Sequence, residues 1–387
     1  MATSSTSNFP AATVLLVGTI VGAGIFALPA VSAVSGFPVA LAWLVSVALI
    51  MALLHVMYGE VVMRTAGTHR LPGYARRYLG RAAERWAFLS ALLGSIGGLL
   101  IYIVLADLFF SDLFPGVFVQ GEWGMFAWAL LVLLVALGLK TVARVELLMA
   151  VFLVLFILLI AAAALPRFSV SHISSLGDLS DAVLPFGVML FALGGFSAIP
   201  GMREFFGKHD RRYRRAILLG SLIPALLYVV FITAIVGAFG GAAAADITDV
   251  VANLGDFFLR ALAVFGLLAV ATSFLVIGAY LVDTLRYDFH WRRSTALAVL
   301  VTPALFFLAG ARDFVSLVVI VGTVLGAVDG TLIVLIWRRA RTHGTLSPPF
   351  SVRLPTAAAY GIIALFVIGT GMVLFSFLVR VWSSFLF

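Results

Sequence analysis

The 387-residue chain contains no cysteine, which excludes disulfides, thiolate metal sites and cysteine nucleophiles. It is also poor in charge. Only 11% of its residues are Asp, Glu, Lys or Arg and 63% are hydrophobic, against about 25% and roughly 45–50% in a soluble domain. Enzyme signatures are missing too. The six histidines (His55, His69, His172, His209, His290, His343) are scattered, none falls in an HExxH pattern, and there is neither a P-loop nor a nucleophile elbow. The expectation is a protein that is not an enzyme, has no cofactor, and would need a partner subunit for ATP-driven work. What the chain does have is a succession of apolar runs of about 17 to 25 residues, each able to cross about 30 Å of hydrocarbon. That pattern predicts an all-α integral membrane protein built as one continuous bundle.

Hydropathy places eleven spans near Ala11–Ser35, Val39–Met63, Trp86–Phe110, Trp123–Leu139, Val145–Leu165, Ala182–Phe205, Ala216–Phe239, Phe257–Val282, Ser294–Ala309, Phe314–Trp337 and Ala357–Val381. With this frame, 21 of the 25 Lys and Arg fall on one side. They include Arg64 to Arg85, Lys140 and Arg144, Arg203 to Arg215, Arg286 to Arg293, and Arg338 to Arg353. Arg167, Arg260, Arg312 and Arg380 fall on the other. Cytoplasmic loops carry the positive excess, so the expected topology in the cytoplasmic (inner) membrane has the N-terminus inside and the C-terminus outside. The net charge of +8 is then a consequence of topology. It gives no reason to expect nucleic acid, although it suits an anionic inner leaflet. MATSSTSNFP has no positive region before the first apolar run, which predicts a retained first span rather than a cleaved signal. Trp86, Trp123, Trp291, Trp337 and Trp382 lie at span ends, where indoles anchor at the headgroups. LPGYARRYLGRAAERW, between spans two and three, reads either as a surface amphipathic helix or as a solvated connection.

Two spans carry matching interruptions. The first contains GAGIFALP (Gly22–Pro29) and the sixth LGGFSAIP (Leu193–Pro200), and a shift of 171 residues superposes Gly24 on Gly195, Ala27 on Ala198, Leu28 on Ile199 and Pro29 on Pro200. Glycine lets a helix unwind and proline removes a donor from the next turn. The spacing of five spans reverses orientation in the membrane, so the copies run antiparallel. The expected organisation is a tail (1–10), a first repeat of helices 1–5 (11–165), an inverted second repeat of helices 6–10 (166–341), and a connecting loop with helix 11 (342–387). Paired interruptions of this kind point to a transport site near the midplane, where unwound half-helix ends leave N–H and C=O groups free.

The segments GTIVGAGIFALP (Gly18–Pro29), YGEVVMRT with HRLPGYARRYLG (Tyr58–Gly80), LPFGVMLFALGGFSAIPGM (Leu184–Met202) and ATSFLVIGAYLVD (Ala271–Asp283) resemble the amino acid/auxin permeases. They are most similar to the aromatic and hydroxy amino-acid permease branch of the amino acid–polyamine–organocation superfamily. The resemblance implies a leucine-transporter-type 5+5 inverted repeat with discontinuous helices 1 and 6 plus one extra helix. It also implies Na+- or H+-coupled symport of a neutral, aromatic amino acid by alternating access. On that fold the substrate carboxylate meets N–H groups around Ala23, Gly24 and Ile25, and the amino group meets carbonyls near Val21, Leu193 and Gly194. Gly195 marks the second break; Phe191, Phe196 and Ser197 face the side chain, Tyr102 adds a hydroxyl, and Phe26 is a further wall.

Coupling-ion candidates fall into two groups. Ala269, Thr272 and Ser273 share one face of the eighth span at i, i+3 and i+4. Joined to the carbonyls of Gly18 and Val21 they match the sodium site implied by the resemblance, whereas the aromatic branch implies proton drive. Intramembrane ionisable groups are the natural proton carriers. Of these, His55 and Asp329 lie deepest, Glu60 and Asp283 sit near the basic side as candidates for a gate salt bridge, and Asp107 lies near the other end. Two other readings remain open at this level. One is an amino-acid sensor, disfavoured by the lack of a long cytoplasmic tail. The other is a transporter of another small solute on the same fold, with soft metals disfavoured because neither break holds an acid, His or thioether.

Overall fold

The computed structural model describes residues 8–386 apart from 68, 120, 139–142, 207–209 and 288, and no side chains at 143–147, 149–150, 179, 287 and 380–386. Most of the N-terminal tail, Lys140, Lys208 and His209, and the side chains of Arg144, Arg380 and Trp382, therefore lie outside the described residues. The described segments are predominantly helical. α1 (Phe9–Ile20) and α2 (Gly24–Val34) are followed by α3 (Phe37–Arg64), α4 (Leu71–Leu79), α5 (Arg81–Leu113), α6 (Glu122–Ala136) and α7 (Ala143–Ala164). The second half comprises α8 (Val170–Ser174), α9 (Leu184–Ala192), α10 (Ala198–Met202), α11 (Arg212–Phe239), α12 (Ile247–Ala252), α13 (Asp256–Tyr287), α14 (Arg293–Ala298), α15 (Val301–Leu308) and α16 (Phe314–His343). α17 (Thr356–Leu386) closes the chain.

Six of these helices are individually long and apolar enough to cross a membrane, and α1 with α2 passes the same test as a pair bent by 53°. The sixth expected span is divided into α9 and α10, and the ninth into α14 and α15. Several helices outrun their apolar windows. α5 starts at Arg81 and α16 continues to His343, because polar residues beyond the hydrocarbon still satisfy their backbone groups within the helix. The basic segment after the second span is accordingly shared. Its first part forms α4, with Tyr74, Ala75 and Tyr78 buried and Arg76 and Arg77 exposed, and its last part opens α5. Gly80, at φ 93°, makes the turn between them, a conformation that disfavours any side chain. Tyr78 donates to Thr65 Oγ1 at 2.7 Å, which in turn donates to the Val61 carbonyl, so α4 is docked under the end of α3. Burial pushes the Tyr74 hydroxyl up to about 12, so this ring remains neutral at physiological pH.

Two expected indole anchors are instead packing residues. Trp337 is 2% exposed and donates to Glu60 Oε2 at 2.9 Å, since α16 runs past it to His343. Trp123 lies in a cluster with Phe110, Phe114, Phe118 and Phe126. Trp86 and Trp291 are exposed, at 62% and 44%.

One helix organises the interior. α11 carries Tyr213, Ser221 and Tyr228 along one face at near-heptad spacing. Tyr213 donates to the Ile199 carbonyl of α10 at 2.7 Å, Ser221 meets His55 of α3 at 2.9 Å, and Tyr228 reaches Ile20 and Ala192. Gly220 completes the face, with room for no side chain against Leu16 of α1. The two interrupted spans, α3 and α11 thus form a core bundle, with α5 and α13 packed together alongside it.

Candidate functional site

The two interruptions meet at one place. α1 ends where Val21 becomes extended (ψ 99°), and α9 ends at Leu193. Each half-helix leaves its last carbonyls without an intrahelical partner. At the start of α2 the Ala23 and Gly24 N–H groups have no backbone acceptor among the described residues, whereas the N–H groups of Ile25, Phe26, Ala198 and Ile199 close turns onto Gly22, Ala23, Gly195 and Phe196. The carbonyls of Val21, Leu193 and Gly194 have no hydrogen-bond partner among the described residues. The close approach depends on glycine. A Cβ on Gly24 would lie 2.5 Å from the Ala192 Cα, and one on Gly195 would lie 2.7 Å from Ile20 Cγ1. Gly24 and Gly195 therefore let the two breaks touch.

Beside them lies a cavity of about 210 Å³. Of the residues expected at a substrate or ion site, Gly18, Val21, Ala23, Gly24, Tyr102, Phe191, Gly194, Ser197, Ala269, Thr272 and Ser273 all line it. Tyr102 is within hydrogen-bonding reach of the Ser273 side chain. The Thr272 hydroxyl donates to the Ala269 and Leu268 carbonyls at 3.0 and 3.1 Å and lines the cavity beside Ser273. This is a set of neutral oxygens from two elements, the donor chemistry that a hard monovalent cation accepts.

Other expected site residues are placed elsewhere. Ile25 and Leu193 are buried outside the lining, Gly195 packs on α1, and Phe196 faces a second space. Phe26 stands behind the cavity wall, edge-on to Phe109 (5.2 Å) and Phe265 (6.5 Å). Phe265 itself lines the cavity and stacks on Phe156 at 5.4 Å. Phe265, Leu153, Val276 and Ile277 line the cavity and were not singled out from the sequence. They are apolar residues among many on apolar spans, although Phe265 and Val276 fall on the face of α13 that Thr272 and Ser273 mark.

The second space is a vestibule of about 1140 Å³ that shares Thr19, Ser197, Val276 and Ile277 with the cavity. Its rim holds Arg70, Arg76, Arg77, Glu84 and Glu204. The order along the helices fixes its direction. On α5 the vestibule residues Ser90 to Ser95 precede Tyr102 of the cavity, and Phe109 of the aromatic cluster comes last. On α13 the order is reversed, from Phe265 through Ser273 to Tyr280. The cavity is therefore closed by phenylalanines on one side and open to the basic face on the other. α1 and α10 border the open side, so the two interrupted spans run antiparallel.

The ionisable candidates separate clearly. Asp329 lines the vestibule and accepts from Ser90 at 2.8 Å. His55 is fully buried, and its ring packs edge-on against Phe196 at 4.9 Å. Ser221 uses its one proton on the Ile217 carbonyl, so His55 Nδ1 is the donor to Ser221, and Nε2 has no partner among the described residues. Glu60 forms a salt bridge with Arg64 at 2.7 Å. Its fully buried carboxylate accepts from Arg64, Trp337, Ser351 and the Val352 N–H, stapling α3 to α16 and to the loop before α17. Asp107 accepts from the Gly124 N–H at 2.8 Å and fixes the start of α6. Asp283 lies half-buried on α13 next to Thr284, which accepts from Arg70 at 2.8 Å.

The fold is shared with solved structures. A structure of MhsT in complex with L-phenylalanine is similar to the chain with a TM-score of 0.65 at 17% identity, covering 95% of this chain and 97% of that one. An inward-facing conformation of Mhp1 is similar with a TM-score of 0.63 at 15% identity, covering 84% and 75%. Both share the fold, which is of the leucine-transporter type. A tyrosine-specific transport system from Haemophilus influenzae is 22% identical over 367 residues, 88% of this chain and 90% of its own length. The sequence profile of the tryptophan/tyrosine permease family matches residues 5–376. The chain, a multi-pass membrane protein that carries out secondary active amino-acid transport, thus belongs to the tryptophan/tyrosine permease family.

Proposed function

We propose that the chain is a cation-coupled symporter that brings a neutral aromatic amino acid into the cytoplasm, and that the amino acid sits where the interrupted spans meet. The observation that carries this reading is the convergence on one cavity of the carbonyl-bearing ends of α1 and α9 with the start of α2, where the Ala23 and Gly24 N–H groups have no backbone acceptor among the described residues. The carboxylate is assigned to N–H groups around Ala23, Gly24 and Ile25, and the ammonium to the carbonyls of Val21, Leu193 and Gly194, each aligned with the favourable end of a half-helix dipole. Tyr102, Phe191 and Ser197 bound the remaining space. An aromatic side chain is the reading favoured by the family and by the tyrosine-specific relative.

For the coupling ion, the carbonyls of Gly18, Val21 and Ala269 with the Thr272 and Ser273 hydroxyls are proposed to take a monovalent cation such as Na+. A second reading, proton coupling through Asp329, is favoured by its place on the vestibule wall with Ser90 as its donor. The basic face is assigned to the cytoplasm and the protein to the inner membrane, in contact with anionic lipid headgroups, with the C-terminus outside. Residues 11–165 and 166–341 are assigned as the two repeats, and 342–387 as the appended loop and helix.

The test is uptake of labelled tyrosine into proteoliposomes with a sodium gradient or a pH gradient imposed separately. Accumulation above equilibrium under one of them is expected. Equilibration alone under both overturns the coupled mechanism.

A further inference from the structure

Tyr228 stands apart from every residue discussed so far, because it lines neither cavity and yet touches both interruptions. Its side chain is completely buried, and its hydroxyl lies 3.0 Å from the carbonyl oxygen of Ile20 and 3.1 Å from that of Ala192. Those are the last residues of α1 and α9. Two carbonyl-bearing helix ends, each carrying partial negative charge, therefore converge on one phenolic proton supplied by a third helix. A buried carbonyl pair without that donor would repel and would lack a hydrogen-bond partner.

We infer that Tyr228 is a positioning residue that ties the ends of α1 and α9 together and thereby sets the subsite for the substrate's ammonium group. The inference rests on the proposed location of the amino acid between the breaks. The carbonyls assigned to the ammonium belong to Val21, Leu193 and Gly194, one or two peptides beyond the two that Tyr228 holds. Fixing Ile20 and Ala192 fixes how far apart those next carbonyls stand. Because the hydroxyl satisfies the first pair, the ammonium is left as the partner of the second pair. The role is indirect, since the phenol touches backbone and not substrate.

The carboxylate end of the ligand does not depend on this tie, which supplies the test. Binding of L-tyrosine and of 3-(4-hydroxyphenyl)propanoate, the same molecule without its amino group, is measured on purified protein in nanodiscs. The wild type is expected to prefer tyrosine. Tyr228→Phe is expected to weaken tyrosine roughly three- to tenfold, the effect of one hydrogen bond, while leaving the deamino compound unchanged. Replacement of Tyr228 by 4-aminophenylalanine, which keeps a donor at the same position, restores the preference. Replacement by 4-fluorophenylalanine, which fills the volume without a proton, does not, and this pair decides the matter if Tyr228→Phe fails to fold. Equal weakening of both ligands, or no change in either, overturns the assignment. A wild-type protein that binds the two ligands equally overturns the amino-group subsite, and the role of Tyr228 falls with it.

Discussion

Replacing Gly24 with alanine adds a single methyl group at the contact between the interrupted spans. The new Cβ would lie 2.5 Å from Ala192 Cα, 2.6 Å from its Cβ and 3.1 Å from its N. Ordinary carbon contacts lie at about 3.5–4.0 Å, so α2 and α9 must part by about 1 Å. The obstacle is backbone, not the tip of a flexible side chain, so no rotamer change relieves it. Overpacking of this kind costs about 1–3 kcal/mol, and a shift of about 1 Å in binding groups lowers rates roughly a hundredfold. Gly24→Ala is expected to insert and fold, since α2 keeps its hydrogen bonds, but to reduce initial tyrosine uptake per folded molecule by at least about tenfold. The comparison is Gly371→Ala in α17, where a Cβ meets nothing within 4 Å and uptake should match the wild type. Wild-type uptake by Gly24→Ala would show that the close crossing at Ala192 does not shape the site, and would refute the reasoning.

Other residues give distinct outcomes. Glu60→Gln removes the charge that holds Arg64, Trp337, Ser351 and Val352, so its thermal midpoint in detergent should fall by an amount equivalent to about 2–4 kcal/mol. Uptake per folded molecule should be kept; lost uptake at unchanged stability would assign Glu60 a gating role. The double variant Thr272→Val with Ser273→Ala is expected to abolish sodium stimulation of uptake, whereas Asp329→Asn leaves it intact. If instead pH-driven uptake disappears in Asp329→Asn and survives in the double variant, the proton route is the operating one.

The features legible in the sequence were those encoded locally. Gly24 with Pro29 and Gly195 with Pro200 announce the interruptions because glycine and proline act on their own backbone, and the arginines report topology by their number on each side. The aromatic branch of the motif resemblance is the part that the family match supports. Features that depend on side-chain direction were hidden. Thr272 and Ser273 mark the cavity face of α13, and Phe265 and Val276 extend it at helical spacing, but as apolar residues in an apolar span they do not declare themselves. Tyr228 reads as one more aromatic in an apolar span, since its partners are the Ile20 and Ala192 carbonyls, 208 and 36 residues away. Glu60 was legible as an acid within reach of arginines, and Arg64 does pair with it. Depth gave no sign that the loop at Ser351 and Val352, 291 and 292 residues downstream, folds back to cover it.

The absence of cysteine makes a single introduced thiol an unambiguous reporter. Ser197→Cys is the position of choice, because Ser197 is exposed and borders both the cavity and the vestibule. The decisive measurement is its labelling rate with a membrane-impermeant maleimide applied to the basic face, with and without L-tyrosine. The account predicts that the thiol is reached from that face and that tyrosine protects it at the concentrations that saturate uptake. Labelling unchanged by tyrosine, in a variant that still transports it, would place the amino acid somewhere other than between the two interrupted spans.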